Sequence, residues 1–471
     1  MFRQSPAVRY HDPEMQRRTF LGSLAAAGIP APSRPPNVVM IYCDDLGYGD
    51  VGCYGSPLKT PNIDRMASEG VRFTHFYSAN PVCSPSRAAL LTGQYPTRVQ
   101  VPNVLFPNST TGLPDSEMTI AQMLKPTGYK TACVGKWHLG HLPQYLPNRR
   151  GFDQYFGIPY SNDMNPRVLL RQSGDKTETV EEIAALPTLT PRYTQEAVNF
   201  INASKDAPFF LYMPHTYPHI PLDASEKFRG KSAFGMYGDV LSELDWSVGE
   251  VLNAVKKSGQ ENNTLVMFSS DNGPWFQGSP GKLRGRKGAT LDGGVRVPFI
   301  ARMPGRVSKG KVISGVGSTM DIMPTVAALT GAKLPNKPLD GINILEMLQG
   351  RQSIDREALL YFDGWNLQCA RWGKWKLHMA RYNSFVYGPT PAAGRVNLPL
   401  KPPELYNIVD DVDESFDVAA ENPKVVKEIE DRVSRLMGGF PNEVRSAWQA
   451  TYARKTGKLD SGKLPTLAPQ N

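Results

Sequence analysis

Cysteine is scarce in this chain. Five stand in 471 residues (Cys43, Cys53, Cys83, Cys133 and Cys369), odd in number and widely scattered. That excludes a disulfide framework, and the lack of any CxxC pair excludes the usual thiolate metal site. Long apolar runs are also missing: nothing approaches the roughly 20 residues a membrane-crossing helix needs. There are no internal repeats. Neither sign of charge dominates, with 53 Lys and Arg against 44 Asp and Glu, a net of +9. Arg3, Arg9, Arg17 and Arg18 against Asp12 and Glu14 put +2 of it in the first 33 residues and leave +7 for the rest. Such an excess helps to draw in an anionic substrate, and solvated lysines account for it equally well. At 40% apolar and 21% charged the composition is that of a soluble globular protein. The length calls for two packed regions.

Residues 1–33 read as an export signal. Arg17-Arg18-Thr19-Phe20-Leu21 precedes a short, alanine-rich run to Ile29, and Ala25-Ala26-Ala27 offers a small-residue cleavage pattern. Paired arginines before such a run are similar to a twin-arginine signal, so the expected destination is the periplasm.

Four short apolar runs read as buried strands, each leading into polar residues. Asn37 to Tyr42 meets Asp44 and Asp45, and Thr131 to Val134 meets Lys136 and His138. Pro208 to Met213 meets His215 and His219, and Thr264 to Phe268 meets Asp271 and Asn272. Continuous apolar runs suggest strands covered on both faces. Helical stretches alternate with them: Pro61 to Gly70, Tyr237 to Lys257 with its apolar stripe from Val240 to Val255, and Ser318 to Leu329. The expectation is an α/β fold with a large, mostly parallel sheet between helix layers, and one pocket beyond the carboxyl ends of the strands. After about residue 355 short strands (Ala358–Phe362, Gln368–Arg371, Lys374–His378) suggest a small antiparallel sheet. Proline-rich loops (Pro389, Pro391, Pro399, Pro402, Pro403) follow, then a helix at Pro423–Met437. The expected division is signal 1–33, main domain 34–355 and C-terminal subdomain 356–471.

The centre of the chemistry is Cys83-Ser84-Pro85-Ser86-Arg87, followed by Ala88-Ala-Leu-Leu-Thr-Gly93. Pro85 suits a first helical turn, so Cys83 stands just before a helix N-terminus, where backbone N–H groups favour anions. Alone, such a cysteine is either an inert core thiol or an activated nucleophile. Asp44-Asp45 is either a solvated turn or half of a cation site, and Asp271-Asn272-Gly273 either a hairpin turn or the other half. Placed together at two buried strand ends they read as one site of hard oxygen ligands, suited to Ca²⁺ or Mg²⁺ rather than zinc. Lys136 and His138 alternate, so in an extended segment they share a face. The basic loop Lys282–Gly288 lacks the aromatic interleaving of a nucleic-acid site. The acidic run Asp410-Asp411-Val-Asp413-Glu414 lacks the spacing of a calcium loop and reads as a solvated turn.

The cysteine motif, with Asp44-Asp45-Leu-Gly-Tyr-Gly-Asp50, Gly135-Lys-Trp-His-Leu-Gly140, Asp271-Asn-Gly-Pro274, Arg286-Lys-Gly288 and Gly293-Gly-Val-Arg296, resembles the formylglycine-dependent sulfatases. The resemblance runs over roughly Pro36 to Asn422 and is close to the arylsulfatase A-like branch. It implies an alkaline-phosphatase-like fold and hydrolysis of a small-molecule or saccharide sulfate ester. A maturation enzyme would oxidise Cys83 to 3-oxoalanine (formylglycine), whose hydrate attacks sulfur with one hydroxyl and releases sulfate through the other. It further implies Ca²⁺ held by Asp44, Asp45, residue 83, Asp271 and Asn272, with Arg87 reaching the hydrate and the metal ligands. Lys136 would bind sulfate, His138 would remove the proton that releases it, and Ser161 would touch the hydrate. His219-Ile220-Pro221 fits the family's histidine segment better than His215-Thr216-Tyr217. His219 with Lys287 is therefore expected on the leaving-group side, and His215 in the pocket wall. The alcohol would be chosen by loops near 101–112, 160–180 and 380–400. Two other readings remain: a phosphonate monoester or phosphodiester hydrolase with the same modified cysteine, and an inactive binder of sulfated glycans.

Overall fold

A strand buried on both faces must alternate its side chains between two covering layers, and β1 (Asn37–Cys43) does so. In this computed structural model, Val38, Met40 and Tyr42 pack into one apolar cluster and Val39, Ile41 and Cys43 into another. The structure describes residues 34–452 except 352, 353, 385–387 and 393; the export-type segment 1–33 and the polar tail from about Thr456 lie outside the described residues.

The main sheet has ten strands: β1, β2 (Val71–Tyr77), β3 (Lys130–Val134), β4 (Gln154–Gly157), β5 (Leu169–Ser173), β6 (Lys176–Glu181), β7 (Phe209–Pro214), β8 (Thr264–Ser270), β9 (Phe299–Arg302) and β10 (Lys311–Ser318). Their order is β10-β2-β9-β8-β1-β7-β3-β4-β5-β6. The four strands expected from apolar runs (β1, β3, β7, β8) are its contiguous parallel centre, with β1 between β7 and β8. β9 runs antiparallel to both β2 and β8, and β4, β5 and β6 form an antiparallel margin.

Helices α1 (Pro61–Glu69), α4 (Leu189–Ala203) and α5 (Gly235–Lys257) share the cluster on one face. α2 (Cys83–Thr92), α3 (Ile120–Leu124) and α7 (Ile322–Thr330) share that on the other. The helix expected from Ser318 starts as a tight turn, Thr319–Asp321, capped by the Ser318 hydroxyl, before α7 takes over. The short α8 (Leu345–Leu348) joins that second cluster, and the short α6 (Asp292–Val295) follows the loop after β8.

The C-terminal sheet runs β11 (Leu359–Asp363), β12 (Asn366–Trp372), β13 (Trp375–Tyr382) and β14 (Asn397–Asn407), all antiparallel. It packs with α9 (Pro423–Met437) and α10 (Asn442–Tyr452), and with Tyr77, Ala89, Tyr95 and Met320 of the main region, in a third apolar cluster. Two expectations change here. Pro399, Pro402 and Pro403 are not in a loop but in β14, an edge strand. Pro402 and Pro403 fall in the break between the His378–Glu404 and Ala380–Pro399 pairings, where no ladder N–H is required. The acidic turn is solvated at Asp410 and Asp413, yet its last residue, Glu414, is fully buried.

Candidate active site

Parallel pairing of Cys43 with Ser270 makes β1 and β8 end side by side, so Asp44 and Asp271 emerge together. The Asp271 N–H donates to the Cys43 carbonyl (3.1 Å), and the Asp45 N–H to Asp271 Oδ1 (3.1 Å). Asp45 has a left-handed backbone (φ 62°), uncommon for a residue with a side chain. On the other side the His215 N–H donates to the Tyr42 carbonyl, and the Lys136 N–H to that of Pro214 (2.7 Å). The four strand ends therefore open on one spot.

Cys83 is the first residue of α2 rather than the residue before it, with Val82 as the extended cap. Every residue of this helix is buried, and Cys83 Sγ donates to Asp44 Oδ1 (3.4 Å). One turn on, Arg87 donates through Nε (3.1 Å) and Nη2 (2.8 Å) to Asp271 Oδ2 and through Nη1 to the Lys136 carbonyl (3.0 Å); Nη2 lies 3.5 Å from Asp44 Oδ2. Lys136 Nζ pairs with Asp44 and donates to Ser161 Oγ (3.0 Å). Lys287 Nζ lies 2.9 Å from Asp45 Oδ1. His219 Nε2 stands 3.7 Å from Asp45 Oδ2. Asn272 donates Nδ2 to Asp45 Oδ1 (2.8 Å), and its own Oδ1 is buried with no partner.

These contacts set the ionisation. Burial alone would raise the Asp44 carboxyl, but the Lys136 ammonium, then His219 and Arg87, hold it well below the usual range. Asp271 goes the other way, pushed up to about 7 by burial and then by the Asp44 charge, against Arg87. Burial, then Asp44, raises the Cys83 thiol. Burial, then Lys136, holds His138 well below the normal imidazole value, and burial, then Lys287, lowers His219.

A small pocket of about 120 Å³ opens on this cluster. Its walls include Asp45, Cys83, His138, Ser161, His219 and Lys287. His138 reaches it by a different route from the one expected: its backbone is left-handed (φ 57°), not extended. Its Nε2–H donates to the Leu105 carbonyl (2.8 Å), while its buried Nδ1 has no partner. His215 is not in the wall. It is buried toward α4 and α5, beside the Tyr193 ring and 3.5 Å from Ser247 Oγ.

The sequence model described as sulfatase matches residues 36–332, and that of the C-terminal region of aryl-sulfatase matches residues 354–454. Arylsulfatase A of Homo sapiens is 38% identical over 445 residues, 85% of this chain and 87% of that protein. The N-acetylgalactosamine-6-sulfatase of Rattus norvegicus is 41% identical over 387 residues, 76% of this chain and 73% of its own length. A crystallised sulfatase from Pseudoalteromonas sp. superimposes with a TM-score of 0.80 at 30% identity, over 87% of this chain and 92% of that one. The chain belongs to the sulfatase family. It is an arylsulfatase A-like sulfatase of alkaline-phosphatase-like fold, an enzyme that hydrolyses sulfate esters.

In this sulfatase the expected Asp44, Asp45, Cys83, Arg87, Lys136, His138, Ser161, His219, Asp271, Asn272 and Lys287 are brought together. Among the described residues, Asp44, Asp45, Cys83 and His219 form a group of potential ligand atoms all within 4.8 Å of one another. Asp271 stands outside that group, with Oδ2 taken by Arg87 and Oδ1 by the Asp45 N–H. Val104, Phe106, Asp163, Met164, Ile220 and Trp275 also line the pocket. The first four come from the segments expected to choose the alcohol. Trp275 went unmarked, although it follows directly on Asp271-Asn-Gly-Pro274.

Arg87 bridges two carboxylates at complete burial. Arg87→Met would leave that negative charge unmatched and should lower unfolding free energy by about 3–5 kcal/mol. An unchanged urea midpoint at unchanged slope would show that the guanidinium is not what holds the cluster together.

Proposed function

We propose that this sulfatase works with Cys83 in its formylglycine form and with one divalent cation, Ca²⁺, among Asp44, Asp45, Asp271, Asn272 and residue 83. The observation that carries the reading is a charge count. With all three buried carboxylates (Asp44, Asp45, Asp271) ionised, as metal ligands must be, they meet three cations (Arg87, Lys136, Lys287), so the cluster in that state has no net positive charge with which to hold a sulfate ester. The donor set fits a hard cation: carboxylate oxygens of Asp44 and Asp45 converge beside residue 83, and Asn272, bonded to Asp45 through Nδ2, keeps a buried Oδ1 without a partner. Such an ion supplies positive charge at the sulfate oxygens, and formylglycine supplies a nucleophilic hydroxyl together with a second one through which sulfate departs.

The chain's own residues divide the remaining work. Lys136 binds a sulfate oxygen, steadied by Asp44 and Ser161. Arg87 holds Asp44 and Asp271 in register. With Nε2–H given to the Leu105 carbonyl, neutral His138 presents Nδ1 as the proton acceptor for sulfate release. His219 Nδ1–H donates to the Ile220 carbonyl (2.5 Å), so the proton for the departing oxygen sits on Nε2 only in the imidazolium form, which Asp45 beside it favours against burial and Lys287. The organic part of the ester extends into an adjoining cavity of about 460 Å³. That cavity shares Trp275 and Lys287 with the reaction pocket and has Phe276, Leu283 and Ala289 as apolar walls. The Arg17-Arg18 segment supports export to the periplasm after a formylglycine-generating maturation enzyme has acted.

Peptides spanning Cys83 should carry an aldehyde when the protein is made together with that enzyme. A mass spectrum of an active preparation showing only free thiol would refute the formylglycine reading.

Asp271→Ala should lose bound metal and turnover together, read by elemental analysis alongside sulfate release. Normal metal content with normal turnover would move the cation elsewhere.

His219→Ala should slow alkyl sulfates far more than nitrophenyl sulfate, by a factor on the order of 100 for a lost general acid, because a stable leaving anion needs no proton. His215→Ala should show no such contrast, since His215 is packed away from the pocket. The reverse pattern would exchange their roles.

A further inference from the structure

The segment Arg284–Asp292 carries Lys287 and supplies Gly285, Arg286 and Ala289 to the wall of the adjoining cavity. Lys287 has a long flexible stem, and a group meant to meet a departing oxygen must be held to a fraction of an ångström. The segment has little regular structure of its own: a four-residue helix, α6, begins only at Asp292. Something else must fix it.

We propose that Glu414, from the acidic turn of the C-terminal region, is a positioning residue for the reaction: it clasps both ends of the segment that carries Lys287. At one end its backbone carbonyl accepts Arg284 Nη1–H (2.8 Å). At the other its carboxylate Oε1 accepts the Asp292 N–H (2.6 Å). The Gly293 N–H closes the neck of the loop onto the Arg284 carbonyl (2.7 Å). The clasp is itself held rigidly. Lys376 Nζ on β13 donates to Asp292 Oδ1 (2.8 Å) and Glu414 Oε1 (3.2 Å), and His378 Nε2 meets Glu414 Oε2 (2.5 Å). Lys376, Asp292 and Glu414 are all fully buried, so each needs the others as partners. Tyr77 on β2 donates to Asp292 Oδ2 (2.8 Å), which ties the clasp back to the main sheet. Glu414 also sits in the left-handed region (φ 52°), a backbone that persists only where the surroundings dictate it. Within the loop, the Lys287 N–H donates to the Pro274 carbonyl (3.1 Å) and the Gly288 N–H to that of Pro81 (2.9 Å), two residues before Cys83. A shift at the clasp therefore reaches both the Lys287 ammonium and the approach to residue 83.

The inference rests on the proposed role of Lys287 at the leaving group. A displacement of about 1 Å can cost up to about a hundredfold in rate. Glu414→Gln in the mature holoenzyme should lower kcat/KM for an alkyl sulfate about tenfold more than for nitrophenyl sulfate. Lys287→Ala should show the same contrast more strongly, and the double variant should resemble Lys287→Ala alone, because Glu414 acts through Lys287. Arg284 is exposed, so Arg284→Ala keeps the test alive should Glu414→Gln not fold; it should shift the same contrast in the same direction. A purely structural Glu414 would instead lower the melting temperature, leave the folded enzyme's two substrates in their normal ratio, and add independently to Lys287→Ala. That result overturns the inference while sparing Lys287. Absence of the contrast in Lys287→Ala itself would overturn the leaving-group role of that lysine, and the inference with it.

Discussion

Three carboxylates cannot stay ionised in one water-poor spot unless a cation faces each of them. Asp44, Asp45 and Asp271 come from two adjacent strand ends, but their partners do not. Arg87 is on α2, Lys136 follows β3, and Lys287 sits on the loop before α6. The matching of charge therefore draws three distant segments to the carboxyl edge of the sheet and fixes their side chains. It also explains why ionisation within the cluster is uneven. Asp44, facing Lys136 and Arg87, is held strongly anionic, while Asp271 shares Arg87 with Asp44 and is pushed up to about 7. Once Asp271 is ionised, as a metal ligand must be, the charges balance and the approach of a sulfate ester depends on further positive charge, so the same constraint that stabilises the fold asks for a cation.

Parallel pairing at the sheet centre turns this constraint into a pocket. β8, β1, β7 and β3 all end on the same edge, and each continues into a polar residue that bonds its neighbour's backbone. The end of β7 shows how finely direction matters. His215 takes its N–H to the Tyr42 carbonyl and turns its ring between α4 and α5. His219, four residues later, lies where the loop has come back over Asp45.

Much of this was legible in the sequence because buried parallel strands are continuous apolar runs, and those runs found the sheet's centre. The same criterion passed over β2, whose Arg72, Thr74 and His75 interrupt the pattern, and the β5–β6 hairpin, which is polar because it is a margin. Proline hid β14, since proline reads as loop unless an edge position and a register break are known. The residues gathered at the pocket were legible through their motifs, and His138 reaches it although its backbone is left-handed rather than extended. Glu414 could not be read at all. A carboxylate among carboxylates looks solvated, and only the fold shows Lys376 and His378 waiting for it on a strand some 40 residues earlier.

That last contact changes how the C-terminal region is understood. None of its described residues lines the small reaction pocket, and its sheet could pass for a cover. A cover, however, would be joined to the main region by apolar contact alone, as Tyr77, Ala89 and Met320 do join it. Burying Lys376, Asp292 and Glu414 together is costly, and a well-packed apolar trio would serve stability as well or better. What an ionic network adds is direction: hydrogen bonds fix the Asp292 N–H and the Arg284 guanidinium at set points, where apolar packing would allow sliding. A flexible lysine held at its tip by Asp45 and at the base of its loop by Glu414 has lost most of its freedom before substrate arrives. On this view the second matched region takes part in the chemistry without contributing a reacting group, by settling that entropy in the fold.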